Sequence, residues 1–213
     1  MSQQEPTIQR VAIIGTGVIG ASWAAYFLAR GMYVAASDPA SDAEAELHRL
    51  VQSFWPALQQ QGLAPEASLE KLRFAGSIAD AVADADFIQE NGPERLDIKH
   101  RIVAEIEAST RNDVIIASSS SGLLMSDMQQ GAKHPERIVL GHPFNPPHLI
   151  PLVEVVAGKQ TSSETVARTM AFYTAIGKNP YIYAQRLKGT SPTGCRQRCG
   201  RRPAIWLTRA WCR

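Results

Sequence analysis

A histidine, an asparagine and a glutamate fall close together in the second half of the chain. His142 and Asn145 lie in Gly141-His-Pro-Phe-Asn-Pro-Pro147, and Glu154 lies in Leu152-Val-Glu-Val-Val156. An imidazole with a carboxylate available to orient it and favour its protonated form is a general acid/base arrangement. The plainer alternative for any such pair is a histidine capping a loop and a solvated glutamate. Two features weigh against it. Glu154 interrupts an apolar run, so it sits where a carboxylate needs a partner, and the prolines stiffen the loop that carries His142 and Asn145. A second polar cluster, Ser118-Ser-Ser-Ser121-Gly122, follows an apolar run and offers hydroxyls to a ligand oxygen or amide, although a serine run by itself is simply a loop. A third, Glu90-Asn-Gly-Pro-Glu94, closes another apolar run with two acids; its simpler reading is a helix-start cluster with Glu94 near the positive end of the helix.

The glycines point to what such groups would work on. Val11-Ala-Ile-Ile-Gly15-Thr-Gly17-Val18-Ile19-Gly20 is an apolar run that turns through three glycines into a helix. Gly15 permits the tight turn, Gly17 lets the backbone approach a pyrophosphate, and Gly20 lets the helix pack closely against the strand. The first-turn amides, at Val18 and Ile19, and the helix dipole then hold the phosphates. A second apolar run, Tyr33-Val-Ala-Ala-Ser-Asp38, ends in an acid 18 residues beyond Gly20, placed to accept hydrogen bonds from a ribose 2′-hydroxyl. Asp38 would repel a 2′-phosphate, so the expected cofactor is NAD rather than NADP. A lone Gly-x-Gly-x-x-Gly is weak; here strand, turn, helix, second strand and terminal acid occur in order.

The elements that must position these residues follow from periodicity. Ser41 to Gln61 reads as a long helix, with Leu47, Leu50, Val51, Phe54 and Leu58 at helical spacing, and Gly62 ends it. Arg73 to Ala75 is a short strand, Ile78 to Ala83 a short helix capped by Ser77, Asp86 to Glu90 a strand, Leu96 to Ser109 a helix and Asp113 to Ser118 a buried strand. Strands at Arg137 to Gly141 and Leu152 to Val156, a helix from Ser163 to Ile176 and a strand near Tyr181 to Tyr183 complete the reading. Strands alternating with helices predict an α/β fold, a doubly wound, mainly parallel Rossmann sheet. Ligands in such sheets lie beyond the carboxyl ends of the strands, where Gly15, Asp38, Glu90 to Glu94, Ser118 to Ser121 and His142 would gather.

Composition narrows the class. The 213 residues are 45% hydrophobic and 20% charged, and the net charge of +2 is too small to argue for nucleic acid or a membrane surface as partner. No apolar stretch approaches the ~20 residues of a membrane span, and Met1 to Gln9 lacks the basic and apolar regions of a secretory signal, so the expected location is the cytoplasm. All three cysteines, Cys195, Cys199 and Cys212, fall in the last 19 residues without a nearby histidine, so no metal site is expected.

Taken together, Gly-x-Gly-x-x-Gly with Asp38, Gln89-Glu-x-x-Pro-Glu94-x-Leu-x-x-Lys99, Ser-Ser-x-Ser-Gly-Leu, His-Pro-Phe-Asn-Pro and Pro-Leu-Val-Glu resemble the L-3-hydroxyacyl-CoA dehydrogenase family, nearest to its branch of L-carnitine and L-gulonate 3-dehydrogenases, over about residues 8 to 189. The resemblance implies hydride transfer from C3 of an L-3-hydroxy substrate, an acyl-CoA or a carnitine-like acid, to NAD. It implies that His142 is the catalytic base for the 3-hydroxyl, that Glu154 is its partner, and that Ser121 and Asn145 contact the substrate oxygen and cofactor. It also places Glu94 and Lys99 beside the nicotinamide and near the acyl carrier or carboxylate.

The chain leaves the family pattern after residue 188. Members continue with a phrase like Gly-[His/Phe]-Ile-x-Asn-Arg-Leu and about a hundred helical residues that wall the cleft and form a homodimer. Here the sequence reads Gly189-Thr-Ser-Pro-Thr-Gly-Cys-Arg-Gln-Arg-Cys-Gly200. With free codon choice, the same stretch read one base earlier allows Gly-His-Ile-Ala-Asn-Arg-Leu. The expectation is therefore an NAD-binding domain over 8–188 and a frameshifted, poorly ordered tail over 189–213, with a genuine divergent tail as the alternative. Functionally, the competing expectation is an NAD-binding module without turnover.

Overall fold

The first strand is apolar on both sides, Val11, Ala12, Ile13 and Ile14 all being buried, as a strand covered by helices on both faces must be. In a computed structural model that describes residues 8–182, the elements run β1 (Arg10–Ile14), α1 (Val18–Ala29), β2 (Tyr33–Ser37), α2 (Ala43–Gln61), β3 (Leu72–Phe74), α3 (Ile78–Val82), β4 (Phe87–Glu90), α4 (Leu96–Ser109), β5 (Ile115–Ser118), α5 (Met125–Met128), β6 (Ile138–Pro143), β7 (Leu152–Ala157), α6 (Ser163–Ala175) and β8 (Asn179–Ile182). The strands form one sheet in the order β3-β2-β1-β4-β5-β6-β7-β8. The direction of winding reverses between β1 and β4, which opens a crevice at their carboxyl ends.

All neighbouring strands are parallel except β6 and β7. Only residues 144–151 separate those two, too few for a crossover helix, so the chain turns straight back and pairs antiparallel. That reversal sets His142 opposite Glu154 in the ladder.

Helix α1 is buried from Gly20 through Ala29. A helix apolar all round must be enclosed, and α1 is: Trp23 stacks on Tyr173 of α6 at 5.7 Å, Phe27 on Phe172 at 5.9 Å, and Leu47, Leu50 and Leu58 of α2 join the same core. The opposite face of the sheet packs Ile14, Ile88, Ile116 and Leu140 against Val103 and Ile106 of α4.

Most boundaries agree with the sequence expectations to within a residue or two. The Ser77 hydroxyl caps α3 by accepting from the Asp80 amide at 3.1 Å, and Gly62 ends α2 at φ +95°. The single turn α5, built on buried Met125 and Met128, is too short to show a helical period in the sequence. Strand β8 begins two residues before its expected start, because Asn179 pairs with Leu152; Tyr183 and the whole 189–213 tail lie outside the described residues. None of the described helices is long and apolar enough to cross a membrane.

Candidate active site

The glycine turn does what its spacing requires. Gly15 adopts φ +88°, and a Cβ there would lie 2.8 Å from the Asn91 carbonyl. A Cβ on Gly20 would come within 1.9 Å of the Gly15 carbonyl oxygen, so only glycine lets α1 start against β1. Gly17 differs: a Cβ there would meet nothing within 4 Å, so the backbone at the helix start borders open space. The first helical bond runs from the Ala21 amide to the Gly17 carbonyl. The amides of Val18, Ile19 and Gly20 therefore precede the ladder and face out of the helix end. No acidic side chain occupies the first turn, and Val18 is exposed. This is an anion cradle with room in front of it.

Asp38 stands at the adjacent strand end, half-buried. Its Oδ2 accepts from the Thr16 amide at 2.8 Å and its Oδ1 from the Ala40 amide at 3.0 Å. The carboxylate thus pins the glycine turn to β2, and each oxygen keeps a lone pair for a ribose hydroxyl. These features fit a dinucleotide, with the pyrophosphate at Gly17, Val18 and Ile19 and the ribose at Asp38.

At the other end of the crevice, register creates the acid/base pair. His142 and Glu154 are directly opposite on β6 and β7, on the same face, and His142 Nδ1 lies 3.4 Å from Glu154 Oε2. Both side chains are buried, the glutamate fully. The ring's other nitrogen, Nε2, is turned away from the acid. Gln89 of β4 steadies this strand end: its Nε2 donates to the Gly141 carbonyl and the Ser119 hydroxyl, while its Oε1 accepts from the Tyr173 hydroxyl at 2.6 Å. Burial pushes the Tyr173 hydroxyl's pKa well up, so it stays protonated and remains a donor. Ser119 in turn donates to Asn91 Oδ1.

The remaining expected site residues are distributed as follows. Ser121 and Asn145 are both exposed, on the segments that follow β5 and β6. Glu94 gathers the serine loop: its Oε1 accepts from the Ser120 hydroxyl and the amides of Ser121, Gly122 and Leu123. Burial of the carboxyl raises its pKa, but the Ser120 hydroxyl, the Gly122 and Leu123 amides and the Lys99 charge outweigh that, so the net shift is downward. Glu94 therefore shapes the loop that carries Ser121.

Lys99, expected beside the nicotinamide and near the acyl carrier or carboxylate, is turned inward. Its ammonium is buried, donating to both Glu90 oxygens at 2.8 Å and to the Gly92 carbonyl at 2.9 Å, which uses all three of its hydrogens. The Glu90 carboxylate is completed by the Ser118 hydroxyl and the Gly92 amide. Lys99 thus belongs to an internal ion pair that braces the loop after β4. The sequence signal for this was present: Glu90 ends an apolar strand and Lys99 sits one turn into a helix, so two charges faced the same interior.

Two residues that sequence reasoning passed over also border the site. His148 and Lys178 sit under the loop after His142, each buried. Nothing in their local sequence separates them from ordinary surface residues. Among the described residues no cluster of three or more His, Cys, Asp or Glu is placed to hold a metal ion.

Comparison with known proteins resolves the family. Residues 10–185 match the model of the 3-hydroxyacyl-CoA dehydrogenase, NAD binding domain. The chain belongs to this family. It is 52% identical over 182 residues to an L-carnitine dehydrogenase of Nocardiopsis dassonvillei and 51% identical over 182 residues to that of Pseudomonas aeruginosa. Each match covers 85% of this chain, and 55% and 57% of the relatives, so the chain spans about half the length of the curated relatives it matches. Among solved structures, a 5-formyl-3-hydroxy-2-methylpyridine 4-carboxylic acid 5-dehydrogenase, described as an NAD+-dependent dismutase, superposes with TM-score 0.80 at 34% identity, covering 86% of this chain and 60% of that one. The 3-hydroxybutyryl-CoA dehydrogenase of Escherichia coli superposes with TM-score 0.76 at 28% identity, covering 83% and 38%. The doubly wound fold and the NAD-binding assignment drawn from the glycine turn agree with these relationships.

Proposed function

We propose that this chain is the NAD-binding and proton-transfer half of a dehydrogenase that oxidises C3 of an L-3-hydroxy acid of the carnitine type. The observation that carries the proposal is the cross-strand pair His142 and Glu154, on the sheet edge that also bears the glycine turn. When bound, NAD supplies the hydride acceptor. The chain's own residues manage the proton. His142 takes it from the 3-hydroxyl at Nε2, and the Glu154 carboxylate beside Nδ1 holds the ring and favours the imidazolium that results. Ser121 and Asn145 orient the substrate oxygen. The carnitine-type substrate is supported by the names of the relatives at about half identity; an acyl-CoA is the substrate named for the more distant Escherichia coli structure. A cytoplasmic location, and a homodimer formed with sequence beyond this domain, belong to the same proposal.

The test is NADH fluorescence titration beside turnover of L-carnitine and of an L-3-hydroxyacyl-CoA with NAD. NADH binding with L-carnitine oxidation supports the full reading. Binding without turnover of either substrate leaves an NAD-binding module. Turnover of the acyl-CoA alone overturns the carnitine assignment.

A further inference from the structure

Helix α6 ends at Ala175, and Gly177, at φ +84°, turns the chain so that Lys178 runs inward. Lys178 is only 2% exposed. Its ammonium donates to the carbonyls of Pro147 and Ile150 and lies 3.5 Å from the Tyr26 ring centroid and 5.3 Å from that of Trp23. Its partners among the described residues are thus all neutral: two carbonyls and two aromatic faces. A buried cation without a countercharge costs free energy, and an apolar side chain would fill the space without that cost. The carbonyls it binds supply the reason. They belong to the turn that follows Asn145, and cation–π contact with Tyr26 ties that turn to α1.

The same turn is tied to α1 a second time. His148 Nδ1 lies 2.7 Å from the Ser22 hydroxyl, whose oxygen also accepts the His148 amide at 2.9 Å, and the imidazole stacks on Phe54 of α2 at 4.3 Å. Ser22 is two residues beyond Gly20, on the helix whose start forms the anion cradle. The charged and titratable groups facing Lys178 are Tyr26 and Arg30 of α1 and His148 of the turn. Burial, reinforced by Arg30, brings the Lys178 ammonium down to about 7. Burial and then the Lys178 charge lower His148 as well.

We propose that Lys178 is a positioning residue: its ammonium holds the turn at 146–150, and with it Asn145, against the cofactor helix α1, and the hold weakens when the ammonium loses its proton. The link to substrate rests on the reading of Asn145 above; the clamp on the turn does not. A neutral amine still donates, but it forfeits the charge-assisted part of both hydrogen bonds and the cation–π contact.

Amide hydrogen exchange on the folded chain tests this. The reporters are the amides of His148, Leu149 and Ile150, which donate to Ser22 Oγ and to the Pro146 carbonyl. Their protection, corrected for intrinsic exchange, is expected to fall about tenfold as pH rises from roughly 6 to roughly 8.5, while that of β1 and β4 amides stays constant. In Lys178→Met the three amides should be poorly protected at every pH, and in Lys178→Arg they should stay protected throughout. Constant protection of the turn in the unaltered chain overturns the proposal even if Lys178→Met does not fold. Full protection retained in a folded Lys178→Met overturns it too. NADH titration of the same samples separates the two ideas: loss of binding in the unaltered chain strikes the dehydrogenase reading, whereas the exchange profile alone decides the clamp.

Discussion

In the β1–α1 half of the crevice the groups offered to a ligand are main-chain amides at Val18 and Ile19, whereas in the β6–β7 half it is the His142 side chain, backed by the buried Glu154. The first half needs the absence of side chains, at Gly15 and Gly20, so that backbone can come close. The second needs side chains held still, and it obtains this from strand register and from buried partners at Gln89 and Tyr173. Binding and chemistry are therefore separable by mutation. A lesion in the first half should cost cofactor affinity, and one in the second should cost rate.

The largest effect expected is on rate. In a turnover-competent form, His142→Ala should lower turnover by roughly 10² to 10⁴, the usual worth of a positioned general base, with NADH affinity unchanged. Glu154→Gln should cost less, because the ring keeps its place on β6. Near-normal kcat for His142→Ala would break the division of labour. So would a parallel loss of NADH binding.

Next is a stability effect that belongs to neither half. Lys99→Met strands the buried Glu90 carboxylate, for a loss of about 3–5 kcal/mol by denaturant melting. Glu90→Gln combined with Lys99→Met should recover part of that loss, since no lone charge remains. A Lys99→Met chain that melts normally but binds NADH poorly would restore the ligand-contact role expected from sequence.

How far the sequence carried this picture depended on how local the cause was. The glycine turn was legible because its causes, a positive φ at Gly15 and a close approach at Gly20, are properties of a few adjacent residues. The His142 and Glu154 pairing was legible as a possibility. Its geometry was not, because the antiparallel return of β7 depends on what a short loop can do in three dimensions. The resemblance gave Lys99 a place beside a ligand; its pairing with Glu90 shows only once the turn after β4 brings the strand-end acid and the helix together. Lys178 and His148 were missed for the same reason in stronger form: their partners Tyr26, Trp23 and Ser22 are more than 120 residues away in the chain.

The glycines allow the binding half to be divided within itself. Gly17→Ala places a methyl group in open space with no strain, at φ −57°, so the chain should fold with unchanged stability and lose roughly tenfold in NADH affinity where the methyl group meets the pyrophosphate. Gly20→Ala collides with the Gly15 carbonyl and should lower thermal stability as well as affinity. Equal stability losses for the two would mean that the space before Gly17 is closed in solution and the cradle reading is wrong.

The smallest effect concerns the choice between NAD and NADP. Asp38 does two things at once: its oxygens fix the Thr16 and Ala40 amides, and its charge faces the ribose position at the end of β2. Asp38→Ala removes both functions, so NADH affinity should fall through a loosened glycine turn while the repulsion of a 2′-phosphate disappears, and the preference for NADH over NADPH narrows. Asp38→Asn separates most of the causes, because the amide oxygen can still accept from Thr16, at the expense of the Ala40 contact, while the negative charge is gone. It should keep most of the NADH affinity and still narrow the preference by about tenfold, which corresponds to about 1.4 kcal/mol of discrimination. An unchanged NADH-to-NADPH ratio in both variants, measured by fluorescence titration, would leave Asp38 as a strut of the turn with no part in selecting the cofactor.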